Sequence, residues 1–95
     1  MTLDELRNKR QQILETAKQH GAHHIRVFGS TVRGDATSNS DVDFIVTFEE
    51  GRSIFDQIGL WQDLTDLLGC EVDLLTDHPN AGDITNQVRQ LAVDL

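Results

Sequence analysis

Residues 27–46 read VFGSTVRGDATSNSDVDFIV, and this stretch decides the fold. A short apolar strand ends on Gly29-Ser30. Ten residues later Asp41, Val42 and Asp43 lead into the β-forming run FIVTF. A strand that only had to pack would not carry two acids one residue apart at its head. Side chains at i and i+2 of a strand share a face. Asp41 and Asp43 therefore project together, while Val42 and Phe44 point the other way.

Working outward, Thr2-Leu-Asp-Glu5 is a capping-box pattern, and Leu3, Leu6, Ile13, Leu14 and Ala17 follow at helical spacing. With Gly21 as the stop, a helix is expected over 3–20. HIRVFG, 24–29, is the first strand and DVDFIVTF, 41–48, the second. Ser53 with Asp56 starts another helix, in which Ile54, Ile58, Trp61, Leu64 and Leu68 recur on one stripe up to Gly69. Phe55 and Trp61 lie on or near that stripe and are read as core. Gly59 inside it costs about 1 kcal/mol against alanine. CEVDLLT, 70–76, is the third strand; 77–80 turn, His78 among them is read as solvated, and 83–92 are weakly helical.

The order is α-β-β-α-β-α in a single domain, 1–95, with no repeat or linker. The second strand, a helix and the third strand make a crossover, expected parallel and right-handed. The short connection between the first two strands favours antiparallel pairing. The expected class is α/β of the α+β kind: a small mixed three-stranded sheet packed with helices.

The net charge of −8 is unevenly spread. Up to Arg33 six basic residues face three acidic ones; from Gly34 onward two face thirteen. Such a chain is a poor general binder of nucleic acid, which needs Lys and Arg to displace counterions. It suits a basic protein partner or divalent cations, and acidity for solubility alone is the plainer account. No apolar run is long enough to cross a bilayer, and the start is not read as a signal peptide. Cys70, the single cysteine, excludes an internal disulfide, fits a reducing cytosol and is read as a buried, inert thiol. His20, His23 and His24 are read as surface residues, not as a metal site.

The chemistry sits on the acids. Asp73, between Val72 and Leu74, reaches Asp41 and Asp43 if its strand is their parallel neighbour. Three packed carboxylates raise one another's pKa, and a cation relieves that. Hard oxygen donors favour Mg²⁺, which takes its remaining ligands from water and phosphates. Two such ions roughly 3.5–4 Å apart clamp the attacking and leaving oxygens of an in-line displacement at phosphorus. The plainer alternative makes Asp41 a cap and Asp43 an exposed strand position. Gly29 allows close backbone approach to a phosphate, and the turn after it presents amides and the Ser30 hydroxyl. Arg33 is equally well a phosphate partner or a structural anchor, and Gly34 frees the chain to turn away. A P-loop is excluded because no Gly-Lys-Ser/Thr follows. An EF-hand fails at Ser40, where glycine is needed, and at Val46, where glutamate is.

The Gly-Ser pair, ten residues, then DVD, with Arg33-Gly34 between and EVDLL later, resembles the polymerase-β-type nucleotidyltransferase superfamily. In size and in this phrase the chain looks like a minimal nucleotidyltransferase (MNT) antitoxin, over roughly residues 3–77. The resemblance implies the nucleotidyltransferase fold, and a site in which Asp41 and Asp43 hold the metal ions that carry ATP. Asp73 completes that site and helps to activate the acceptor hydroxyl; Gly29 and Ser30 hold the β- and γ-phosphates. It implies Mg²⁺, with Mn²⁺ as the alternative, and transfer of AMP to a tyrosine of a partner HEPN-domain ribonuclease toxin. The chain has no tyrosine, so a tyrosine acceptor lies on another molecule. The expected setting is cytoplasmic, without membrane or direct nucleic-acid contact. The stretch TSNSD lacks the proline often found before the Ser-Asp of the family, and the tail, 80–95, matches no role. Three rivals stand: an antitoxin that neutralises by binding alone, a transferase acting on a small molecule, and, least favoured, a templated polymerase.

Overall fold

The computed structural model describes residues 2–34, 41–77 and 90–95. The elements are α1 (Leu3–Asn8), α2 (Arg10–Gln19), β1 (Ala22–Phe28), α3 (Ser30–Arg33), β2 (Val42–Phe48), α4 (Ile54–Leu68), β3 (Val72–Thr76) and β4 (Val93–Asp94). The sheet order is β3-β2-β1-β4. β1 runs antiparallel to β2, and β2 parallel to β3 through the α4 crossover. Both pairings are those expected from the connection lengths.

The strand count is corrected. The sheet has four strands rather than three, because β4 adds to the free edge of β1, with Val27 opposite Val93 and Arg26 opposite Asp94. His24 Nε2 meets Asp94 Oδ1 at 2.8 Å, and Arg10 Nε donates to the carbonyl of Leu95 at 2.8 Å. These contacts join residues far apart in sequence, and no local propensity encodes them. Of the expected weak helix over 83–92, residues 83–89 lie outside the described residues, as does His78.

The single helix expected over 3–20 is broken at Lys9 (φ −103, ψ 11), which caps both α1 and α2. Its amide donates back only three residues, to Leu6, and its Nζ donates to the carbonyl of Leu67 at 3.2 Å, in the last turn of α4. A cation there complements the negative end of the α4 dipole. The break thus has a tertiary partner and no glycine or proline to announce it.

Both expected capping boxes form. Thr2 pairs with Glu5 at the head of α1 and Ser53 with Asp56 at the head of α4. Leu6, Ile13 and Ala17 from the first two helices meet Leu60, Leu64 and Leu68 of α4 over one face of the sheet. That face presents Ile25 and Val27 of β1, Val42, Phe44 and Val46 of β2, and Val72 of β3. Leu6, Ile13, Val27, Val42, Phe44, Val46, Leu60 and Leu64 are fully covered. Cys70, read as buried, is only half-buried against this core.

The stripe read on α4 is also corrected. Leu64 and Leu68 belong to the core, but Ile54, Phe55, Ile58 and Trp61 are 63%, 78%, 44% and 40% exposed. The buried arc is Leu60, Leu64 and Leu68; Ile54, Ile58 and Trp61 form an adjoining arc that stays exposed. Gly59 has a packing reason, since a Cβ there would come within 2.8 Å of the His20 imidazole. His20 in turn meets Asp63 at 2.6 Å, so His20 and His24 are each held by a carboxylate, on two different elements.

Candidate active site

Parallel pairing of β2 with β3 sets Asp43 directly beside Asp73, with Val42 beside Val72 and Phe44 beside Leu74. Alternation does the rest: with Val42, Phe44 and Val72 drawn into the core, the two aspartates must emerge on the opposite face. The far end of β3 is tied down by Asp77, whose amide donates to Val46 and whose carboxylate pairs with Arg26 of β1 at 3.0 Å. Asp41 precedes the strand and is exposed.

β1 delivers the other half of the site. Phe28, its last residue, lies opposite Asp43. The chain then turns at Gly29 (φ 80, ψ −148) into α3. A Cβ at Gly29 would collide with Asp43 Oδ2. Glycine is therefore required twice here, once by the left-handed φ and once by the carboxylate that occupies the space of a side chain. The amides of Val32, Arg33 and Gly34 close the turn onto Gly29 and Ser30 carbonyls, which puts the Ser30 amide at its open N-terminal end. Arg33 ends α3, and Gly34 (φ 83) leads the chain away in the left-handed conformation.

Electrostatics mark the same spot. The pKa of Asp43 is pushed up from 3.8 to about 6, first by burial, then by a hydrogen bond with Asp73 and by the charges of Asp73 and Asp41; Arg33 opposes the shift. Two carboxyl groups hydrogen-bond only by sharing a proton, so a cation that binds both must displace it. Among the described residues no three His, Cys, Asp or Glu side chains gather closely enough to hold a metal ion unaided. Where three converging carboxylates were expected, the structure brings together a pair, Asp43 and Asp73, with Asp41 acting on Asp43 only through its charge. That donor set fits Mg²⁺, which binds through one or two carboxylates and completes its shell with water and phosphate oxygens.

Beside Asp73, on the α4 side, lies a groove of about 300 Å³ lined by Ile54, Gln57, Ile58, Trp61, Val72, Asp73 and Leu74. Trp61 forms its wall, its Nε1 donating to the carbonyl of Val72 at 2.6 Å. Reading one stripe along α4 hid this feature. The numbering alone did not separate them, because positions 54, 58 and 61 adjoin 60, 64 and 68 around the helix.

Residues 11–92 match the family described as Polymerase beta, Nucleotidyltransferase. A chain of Methanocaldococcus jannaschii that carries the provisional name of protein adenylyltransferase is 33% identical over 95 residues, covering 100% of this chain and 99% of that one. The protein adenylyltransferase MntA of Thermococcus cleftensis is 48% identical over 61 residues, 64% of this chain and 62% of that protein. A solved structure provisionally described as a minimal nucleotidyltransferase superposes with a TM-score of 0.86 at 41% identity, covering 100% of this chain and 97% of the other. A toxin–antitoxin structure with AMP-PNP shares the fold at a TM-score of 0.74 and 23% identity, over 90% of this chain and 70% of that one. Sheet order, the glycine turn against Asp43 and the breadth of the sequence match agree, and the chain belongs to the Polymerase beta, Nucleotidyltransferase family.

Proposed function

We propose that this nucleotidyltransferase is a metal-dependent protein adenylyltransferase that moves AMP from ATP to a tyrosine of a partner HEPN-domain ribonuclease toxin. The observation that carries the reading is the Asp43–Asp73 pair in register across β2 and β3, with Gly29 pressed against Asp43. Relatives bearing the name protein adenylyltransferase support it. So do solved structures of the same fold, described as complexes of MntA with its toxin and as an AMPylated Shewanella oneidensis HEPN toxin with its MNT antitoxin.

In this reading Asp41, Asp43 and Asp73 hold Mg²⁺, which supplies stabilisation of the charge that develops between the α-phosphorus and pyrophosphate. Gly29 lets the backbone approach the β- and γ-phosphates, and the Ser30 amide and hydroxyl donate to their oxygens. Arg33, exposed at the end of α3, adds positive charge beside the carboxylates. Asp73 accepts the proton of the phenol as the tyrosine oxygen bonds to the α-phosphorus. The bond from that phosphorus to the β-phosphate oxygen breaks, and pyrophosphate carries the electron pair away. Placing the reaction in a cytosol, on protein rather than nucleic acid, follows from the same reading, as does treating residues 1–95 as one catalytic domain. Among the described residues no helix is long and apolar enough to cross a membrane.

The test is the intact mass of a partner HEPN-domain protein after incubation with this chain, ATP and Mg²⁺. Additions of AMP mass that disappear with an Asp41→Asn, Asp43→Asn chain are the expected result. A tight complex with no added mass would refute transfer and leave an antitoxin that acts by binding alone.

A further inference from the structure

Five large hydrophobic side chains are exposed among the described residues, and four of them, Ile54, Phe55, Ile58 and Trp61, sit on the first two turns of α4. A contiguous apolar face on a small domain marks a surface that something covers. This one does not stand apart from the chemistry. The same groove that Ile54, Ile58 and Trp61 line is lined also by Asp73. Among the described residues β3 is the outer strand of the sheet on that side, so the groove lies at an edge of the sheet.

We infer that the apolar face of α4 and the groove beside β3 dock the acceptor protein, seating an apolar segment so that its hydroxyl reaches Asp73. This deepens the proposed function and rests on it for the identity of the acceptor. Two observations choose a foreign protein over ATP or a second copy. The first is continuity: a segment lying along Ile54, Ile58 and Trp61 is led to Asp73, whereas the glycine turn that suits phosphates lies on the far side of β2. The second is charge. From Ser53 to Thr76 the chain has five acidic residues, Asp56, Asp63, Asp66, Glu71 and Asp73, and no lysine or arginine. Asp66, Glu71 and Asp73 are exposed; Asp56 is partly offset by Arg52, 3.5 Å away. A second copy would bring like charge against this rim, while a partner with basic residues flanking its apolar segment would be attracted. An RNA-cutting enzyme has reason to carry such basic residues.

The experiment measures binding of a partner HEPN-domain protein to this chain by calorimetry with no nucleotide present, so that failure of the transfer reading leaves it intact. The variant is Phe55→Ser, Ile58→Ser; Trp61 is left alone because its indole holds the Val72 carbonyl. Binding of a fluorescent ATP analogue with Mn²⁺ checks that the variant is folded. The expected result is an affinity for the HEPN protein at least tenfold weaker, with Phe55→Leu, Ile58→Leu close to wild type and binding weakened by added salt. Should the double variant not fold, Phe55→Ser alone, at a side chain 78% exposed, gives the same readout with a smaller loss. Unchanged affinity in the serine variants overturns the inference, and so does a wild-type chain that does not bind the HEPN protein. Sedimentation of this chain alone supplies the last arm: a dimer that the serine variant dissociates would assign the face to a second copy and likewise overturn it.

Discussion

On one side of β2, Val42, Phe44 and Val46 are fully covered by side chains of the helices and neighbouring strands. On the other, one residue out of step, Asp43 is pressed against Asp73 and Gly29 with its pKa raised to about 6. The first side gains from every contact it makes. The second holds a charge that burial and like-charged neighbours oppose. The comparison teaches that the packed face holds the strained one in place: β2 cannot shift to relieve Asp43 without pulling Phe44 out of the core. A rigid sheet is where a site that depends on sub-ångström placement is best built.

The largest expected effect strikes the polar side. Asp41→Asn with Asp43→Asn should lower AMP transfer by at least about a thousandfold, roughly 4 kcal/mol in the barrier, in a quenched-flow or mass-spectrometric assay. A variant that kept a tenth of the activity would show that the polar face does not carry the chemistry. The packed side comes next. Phe44→Ala should cost about 3–5 kcal/mol of stability, read from urea denaturation, and transfer should fall further than the folded fraction does. Full activity in folded Phe44→Ala chains would show that the packed face does not hold Asp43 in place.

A third, smaller effect is in pH. Cation binding must displace the proton from Asp43. Mn²⁺ affinity, followed by paramagnetic relaxation, should fall about tenfold for each unit below about pH 6 and level off above it. An affinity flat from pH 5 to 7 would contradict the shared proton.

The smallest effect is one of stability, with the opposite sign from the usual aspartate. The folded state of Asp43 holds its proton up to about pH 6, the unfolded chain only to 3.8. Its penalty is absent at low pH, grows as pH rises through that window, and is complete above it. Asp43→Asn should therefore raise Tm by a few degrees at pH 7.5, since a carboxamide donates to Asp73 without a borrowed proton. The gain should shrink at pH 4.5. A lower Tm at pH 7.5 would mean that the carboxylate is not held under strain.

Much of the fold could be read locally. Both capping boxes, the left-handed glycines at 34 and 69, the two strand pairings and the emergence of Asp43 opposite Val42 and Phe44 follow from short patterns. What could not be read depends on partners distant in sequence. β4 exists through β1, His24 and Arg10; the break at Lys9 has its partner at Leu67. The outward arc of α4 was obscured because Ile54, Ile58 and Trp61 can be threaded onto the same stripe as Leu64 and Leu68. Only the sheet's position decides which of two adjoining arcs is covered. For the site, spacing alone brought Gly29, Asp43 and Asp73 into view. That a Gly29 side chain would collide with Asp43 needed coordinates.

The register of β3 restricts where the chain can vary in length without moving the site. A slip of β3 by one residue against β2 would turn Asp73 into the core and Val72 out to water. A slip of two would restore the orientation but set a different residue beside Asp43. The turn at Glu50 and Gly51 is exposed, and Gly51 has open space around it. Extra residues, a recognition tag or a whole inserted domain would be absorbed there with Asp43 and Asp73 still facing each other.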